Sequence, residues 1–122
     1  MPVLAWYGWM KKLIWLKDSL AKLKTFPESV QDDIGYALFT AQNGETHRSA
    51  KSLHGLGSGV MEIVSNDSSG TFRAVYVVSI GDSIYVVHAF QKKSKAGVKT
   101  PKAEIDLAQQ RIKQLKREVG ND

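Results

Sequence analysis

The sequence contains no cysteine. Without thiols, neither disulfides nor a thiolate-bound metal can hold the fold, and the chain fits a reducing cytosol without requiring one. Long uninterrupted apolar runs are also missing. The first sixteen residues, MPVLAWYGWMKKLIWL, are apolar and aromatic, but Lys11 and Lys12 interrupt them. A secretory leader carries its basic residues ahead of the apolar run, and a membrane span needs about 20 apolar residues, so neither is expected. The three histidines, His47, His54 and His88, do not stand at metal-ligand spacing and the acids are scattered, which argues against a metal hydrolase and gives no reason to expect a cofactor. Nucleophile-elbow, Walker and dinucleotide-binding fingerprints are absent, as are internal repeats.

What is present is a chain of 122 residues, 43% hydrophobic and 24% charged, enough for one domain spanning residues 1–122 around one core. Residues 1–9 read as an extension ahead of the first strand. The net charge of +5 is unevenly placed. Between Gln91 and Glu118 nine Lys and Arg face three acids, a local balance of +6 that leaves −1 for the remainder. An excess confined to one quarter of a domain suggests a surface that meets a polyanion; the plainer reading is a solvated Lys-rich loop and helix.

Hydrophobic periodicity places the elements. Lys11 to Trp15 reads as a short strand, followed by a weak helix carrying Leu16, Leu20 and Leu23. Pro27 then opens a helix of about four turns with Val30, Ile34, Ala37, Leu38 and Ala41 on one stripe, closed at Asn43 and Gly44. Residues 45–59 show no sustained period. Gly55, Gly57 and Gly59 alternate there but do not form a phosphate turn followed by a helix, so a flexible connector is expected. Three antiparallel strands follow, near Val60–Ser65, Thr71–Ile80 and Ser83–Phe90, with turns at Asp67–Gly70 and Gly81–Asp82. Because both faces of the middle strand are partly apolar, helices should cover one face and something shallow the other. Pro101 opens a last helix with the stripe Ile105, Ala108, Ile112, Leu115 and Val119. Helices, a strand meander and a closing helix make an α+β arrangement: a small antiparallel sheet packed with N-terminal helices and one C-terminal helix.

Three features are candidates for chemistry. Arg73 lies inside a strand, where its permanent charge must meet solvent, an acid or an anionic ligand. An ion pair with Glu62 on the neighbouring strand and contact with phosphate are equally open. The strand end from His88 to Lys93 puts His88, Phe90 and Lys92 on one face. Phosphodiester cleavage needs cations and a proton-transfer group near neutrality, and a ring can stack a base. A satisfied core or rim histidine is the alternative. Finally, Lys93, Lys95, Lys99 and Lys102 form a basic loop able to follow a sugar-phosphate backbone with salt-dependent affinity.

These residues carry a resemblance. Phe72-Arg73-Ala74-Val75-Tyr76, Val87 to Lys93, Gly97 to Lys102 and Glu104 to Ala108 closely resemble the phage-derived, HigB-like branch of the RelE/ParE toxin superfamily. Earlier pieces agree, among them Asp18-Ser19-Leu20, Phe26-Pro27 and Ile34 to Leu38. The match covers about residues 12–118. It implies a RelE-like fold, a cytoplasmic location, and metal-free cutting of messenger RNA on the ribosome by attack of a ribose 2′-hydroxyl on the adjacent phosphate. It also implies a cognate antitoxin, expected to be a helix-turn-helix protein docking on the N-terminal helices. By position, Arg73 would stabilise the transition state, Lys92 and Lys93 would bind phosphate, and protonation of the leaving group would also fall to this pair. His88 would transfer a proton, Phe90 would stack a base and Glu62 would orient Arg73. One departure stands out: Ile63, Val64 and Ser65 follow Glu62 where related sequences often carry a cation. A ParE-like poison of DNA gyrase, or an inactive RNA- or partner-binding relic, remains open, since a fold hosts more than one function.

Overall fold

A computed structural model describes residues 10–92 and 100–119. In chain order these form β1 (Lys12–Trp15), α1 (Ser19–Leu23), α2 (Glu28–Gln42), β2 (Ala50–Ser52), β3 (Val60–Asp67), β4 (Gly70–Val77), β5 (Ser83–Lys92) and α3 (Lys102–Glu118). The strands make one sheet in the order β1-β5-β4-β3-β2. It is antiparallel from β2 to β5, as expected, and β1 joins β5 in parallel, Lys12 opposite Ser83 and Trp15 opposite Val86. A parallel neighbour needs a long crossover, which here is everything between β1 and β5.

Both helix stripes read from periodicity point inward. Val30, Ile34, Ala37, Leu38 and Ala41 of α2 are buried, joined by Phe72, Ala74 and Tyr76 of β4 and by Ile84, Val86 and Ala89 of β5. On the other face, Ala108, Ile112 and Leu115 of α3 pack with Val60, Val75, Val77, Tyr85 and Val87. The second face is therefore covered by a 17-residue helix rather than by something shallow, because the α3 stripe is long enough to span the sheet.

Two local readings are corrected. The connector 45–59 contains a strand, β2, whose three residues are too few to show an alternation. Gly59 in that connector has φ +75, and a Cβ there would lie 2.4 Å from the Cβ of Ser79. This glycine is required by close chain packing. β4 stops at Val77 rather than Ile80, while β3 and β5 run further than expected. The β3–β4 hairpin closes with Asp67 opposite Gly70, and the Asp67 carboxylate accepts from the Ser69 backbone N–H (2.8 Å) and hydroxyl (2.6 Å).

A bulge in β5 sets up the functional face. Tyr76 pairs with Val86 but Val75 pairs with His88, so Val87 is an extra residue. Ile84 and Val86 belong to the α2 side, and strict alternation would carry His88, Phe90 and Lys92 there too. The bulge reverses the phase. Ala89 falls on the α2 side, and His88 turns toward α3, where its ring meets Glu104.

Candidate functional site

The face beneath α3 is a polar island in an apolar layer. Across the strands, Val64, Arg73 and Phe90 form one row and Glu62, Val75 and His88 the next, with Lys92 opposite Thr71 at the strand end. Arg73 and Glu62, 4% and 2% exposed, form a buried ion pair, Nη1 to Oε1 at 2.9 Å. The Thr100 hydroxyl donates to the other oxygen of Glu62. Orienting Arg73 is thus within the reach of Glu62. A pair so buried must satisfy its remaining hydrogen-bonding capacity, and Thr100 meets part of that demand.

His88 is 4% exposed. Its Nε2 lies 2.7 Å from Oε1 of Glu104, and Nη1 of Arg111 lies 3.5 Å from its Nδ1. A guanidinium has only donors, so Nδ1 is the acceptor and Nε2–H donates to Glu104. Arg111 also donates to the Val87 carbonyl at 2.8 Å and pairs with Asp18 at 2.9 Å. It thereby satisfies the carbonyl at the bulge and ties α3 to the approach to α1. Burial by itself would raise the Asp18 carboxyl, but the hydrogen bond and charge of Arg111 outweigh it and hold the group below its ordinary value.

Phe90 is buried at 6% exposure and stacks on His88 with centroids 5.0 Å apart and planes 23° apart. Its ring therefore does not stand open at the strand end but lies against the His88 imidazole. Lys92 is 7% exposed. Lys102 is open to solvent on α3 and pairs with Asp106 at 2.8 Å, whose hydrogen bond and charge raise the lysine above its ordinary value. Lys93, Lys95 and Lys99 lie outside the described residues. The structure therefore unites Glu62, Arg73, His88, Phe90 and Lys92 on one face and sets Lys102 in solvent.

Two clefts open on this region. One, of about 600 Å³, is lined by Lys51, Leu53, His54, Glu62, Thr100 and Ile105. The other, of about 320 Å³, sits beside the end of β5 and includes Phe90 and Glu104. Among the described residues no group of three or more His, Asp and Glu is placed to hold a metal ion, and no helix is long and apolar enough to cross a membrane. Sequence reasoning missed Asp18, Thr100, Glu104 and Arg111 as members of the site. The signal for two of them was present: Glu104 and Arg111, seven residues apart, share a helix face with Ala108 and Leu115.

This arrangement, a five-stranded sheet with two N-terminal helices on one face and a C-terminal helix over a basic polar site on the other, is a RelE-like fold. The free-state structure of a mutant of the E. coli toxin RelE is similar to it with a TM-score of 0.58 and 13% identity, over 87% of this chain and 98% of that one. Residues 21–113 match the family described as phage derived protein Gp49-like (DUF891), and the chain belongs to that family. No curated protein sequence matches it. The resemblance to the phage-derived branch of the superfamily is upheld, and with it the α+β class.

Proposed function

We propose that this protein is the toxin of a type II toxin–antitoxin pair, a cytoplasmic, metal-independent endoribonuclease that cuts messenger RNA on the ribosome. The observation that carries the reading is Arg73. Its guanidinium is held by Glu62 in the sheet row next to His88, and Lys92 ends the adjoining strand. Preorganised positive charge in a site shielded from water stabilises a pentacoordinate phosphate more strongly than the same charge in solvent. Arg73 supplies that charge, and Lys92 with Lys93 binds phosphate and protonates the leaving oxygen. His88 belongs to the proton-transfer apparatus, and Phe90 forms an aromatic wall for a base. Lys93, Lys95, Lys99 and Lys102 follow the RNA backbone. Membership of the Gp49-like family and the likeness to the RelE toxin fold support the toxin reading. The partner in this reading is a helix-turn-helix antitoxin, seated on the N-terminal helices where Tyr36 of α2 is 63% exposed.

A second reading has an observation in its favour. Burial of Arg73, His88 and Lys92 suits a toxin that acts through its outer surface, as a gyrase poison would. Inducible expression in bacteria separates the two, comparing the unaltered protein with Arg73→Lys, which keeps a cation beside Glu62 but loses the planar fork. Growth arrest with new messenger 5′ ends that disappear in Arg73→Lys supports the endonuclease. Arrest with intact messages and an induced DNA-damage response supports the gyrase poison and removes the first reading.

A further inference from the structure

β1 pairs with β5 only over Ser83–Val86, so among the described residues no strand lies beside the outer edge of β5 from Val87 to Lys92. The space at that edge is the cleft of about 320 Å³, walled by Lys22, Phe26, Phe72, Phe90 and Glu104. Its chemistry is unlike that of the 600 Å³ cleft. Glu62 is the carboxylate there, and its two oxygens are engaged by Arg73 and Thr100. In the edge cleft the carboxylate is Glu104, whose side chain is 30% exposed.

His88 lies behind Glu104 with both ring nitrogens engaged and 4% of its surface open. With Nε2 on Glu104 and Nδ1 on Arg111, the ring has no nitrogen left to exchange a proton with a bound substrate. A proton can pass at the Glu104 carboxylate, which meets the cleft on one side and the imidazole N–H on the other. We infer that Glu104 is the general base of the RNA cleavage proposed above, with His88 and Arg111 as positioning residues and the edge cleft holding the nucleotide whose 2′-hydroxyl attacks the adjacent phosphorus. The inference rests on the endoribonuclease reading. Phe26 and Phe72, with ring centroids 4.8 Å apart, and Phe90 offer apolar walls to the base, and Lys22 offers a cation at the rim.

In the step, Glu104 takes the proton of the 2′-hydroxyl and O2′ forms a bond to the adjacent phosphorus. The bond from phosphorus to O5′ breaks, and its electron pair leaves on O5′, which is protonated by Lys92. Water restores the proton to Lys92, and the resulting hydroxide takes the proton from Glu104. The products are a 2′,3′-cyclic phosphate and a 5′-hydroxyl. The groups facing Glu104 are His88 from β5, Arg111 on its own helix with Asp18 behind it, and Lys22 across the cleft.

The test uses the full-length protein in single-turnover cleavage of a message programmed on ribosomes. Glu104→Gln still accepts the hydrogen bond from His88 but cannot take a proton. It is expected to lose at least about 100-fold in rate with unchanged binding, and to lose the acid limb of the pH–rate profile. Glu104→Ala is expected to regain activity in formate, a rescue that a purely structural side chain would not show. His88→Asn should lower the rate less than Glu104→Gln and leave KM in place. Glu104→Gln cleaving at close to the unaltered rate, or Glu104→Ala inactive and indifferent to formate, overturns the assignment while leaving the nuclease reading intact. An unaltered protein that cuts no message overturns that reading itself, and the inference with it.

Discussion

Both faces of the sheet carry an apolar core, but the α3 side buries charge within it as well. Beneath α2, Phe72, Ala74, Tyr76, Ile63 and Ala89 meet an apolar helix stripe with no charge among the buried residues of the cluster. Beneath α3 the same strands present Glu62, Arg73, His88 and Lys92, all buried. Burial of apolar surface stabilises the first face outright. On the second, each charge loses hydration that only its partners restore, and a buried pair contributes little net stability over an apolar replacement. Apolar packing on both sides of the sheet holds the domain together, and the α3 side gives up some of that stability to keep preorganised charge next to a cleft.

The largest effect is expected at Arg73. Arg73→Ala leaves Glu62 charged and buried opposite a gap, and should cost about 3–5 kcal/mol of unfolding free energy. Urea titration reads it, and loss of toxicity in that variant alone says nothing about chemistry. On the dry face, Leu38→Ala, at a fully buried position, should cost about 2–5 kcal/mol. If the faces have separate tasks, a Leu38→Ala sample kept folded at low temperature retains its cleavage rate per folded molecule. Gly59→Ala should cost about 1–3 kcal/mol, since its positive φ and the neighbouring Ser79 resist a side chain.

Smaller effects sharpen the picture. The Asp18 carboxyl is held below its unfolded value by Arg111. The stability that this pairing contributes is present above the unfolded pKa and is lost as pH falls through the folded one. Asp18→Asn should remove that part of the acid-side loss of stability. Because Asp18 is about half exposed, the change is modest and is read by comparing melting temperatures of the two proteins across the acid range. Least of all, Lys102→Ala should leave the melting curve in place, since its pair with Asp106 is surrounded by water. It should still weaken RNA binding and flatten the salt dependence if Lys102 meets the backbone.

Those differences also explain what could be read in advance. The α2 and α3 stripes and the β3–β4 turn were legible because each is a local pattern: helical spacing in Val30 to Ala41 and Ile105 to Leu115, and turn chemistry at Asp67 to Gly70. The bulge at Val87 was not, because it breaks the very alternation from which strand faces are read. His88, Phe90 and Lys92 were rightly placed together, but which face they share depended on that one extra residue. Arg73 and Glu62 stood out as charges in adjoining strands. Asp18, Thr100 and Arg111 did not, since their roles arise only when three distant segments meet.

The central claim is that the charged face cuts RNA. The most direct measurement is to incubate the purified protein with ribosomes carrying a defined message and to identify the chemical ends of any fragments. The account predicts fragments ending in a 2′,3′-cyclic phosphate and beginning with a 5′-hydroxyl, formed with chelator present and absent with Arg73→Lys. A message that stays intact on ribosomes, with folded protein in excess, would contradict it.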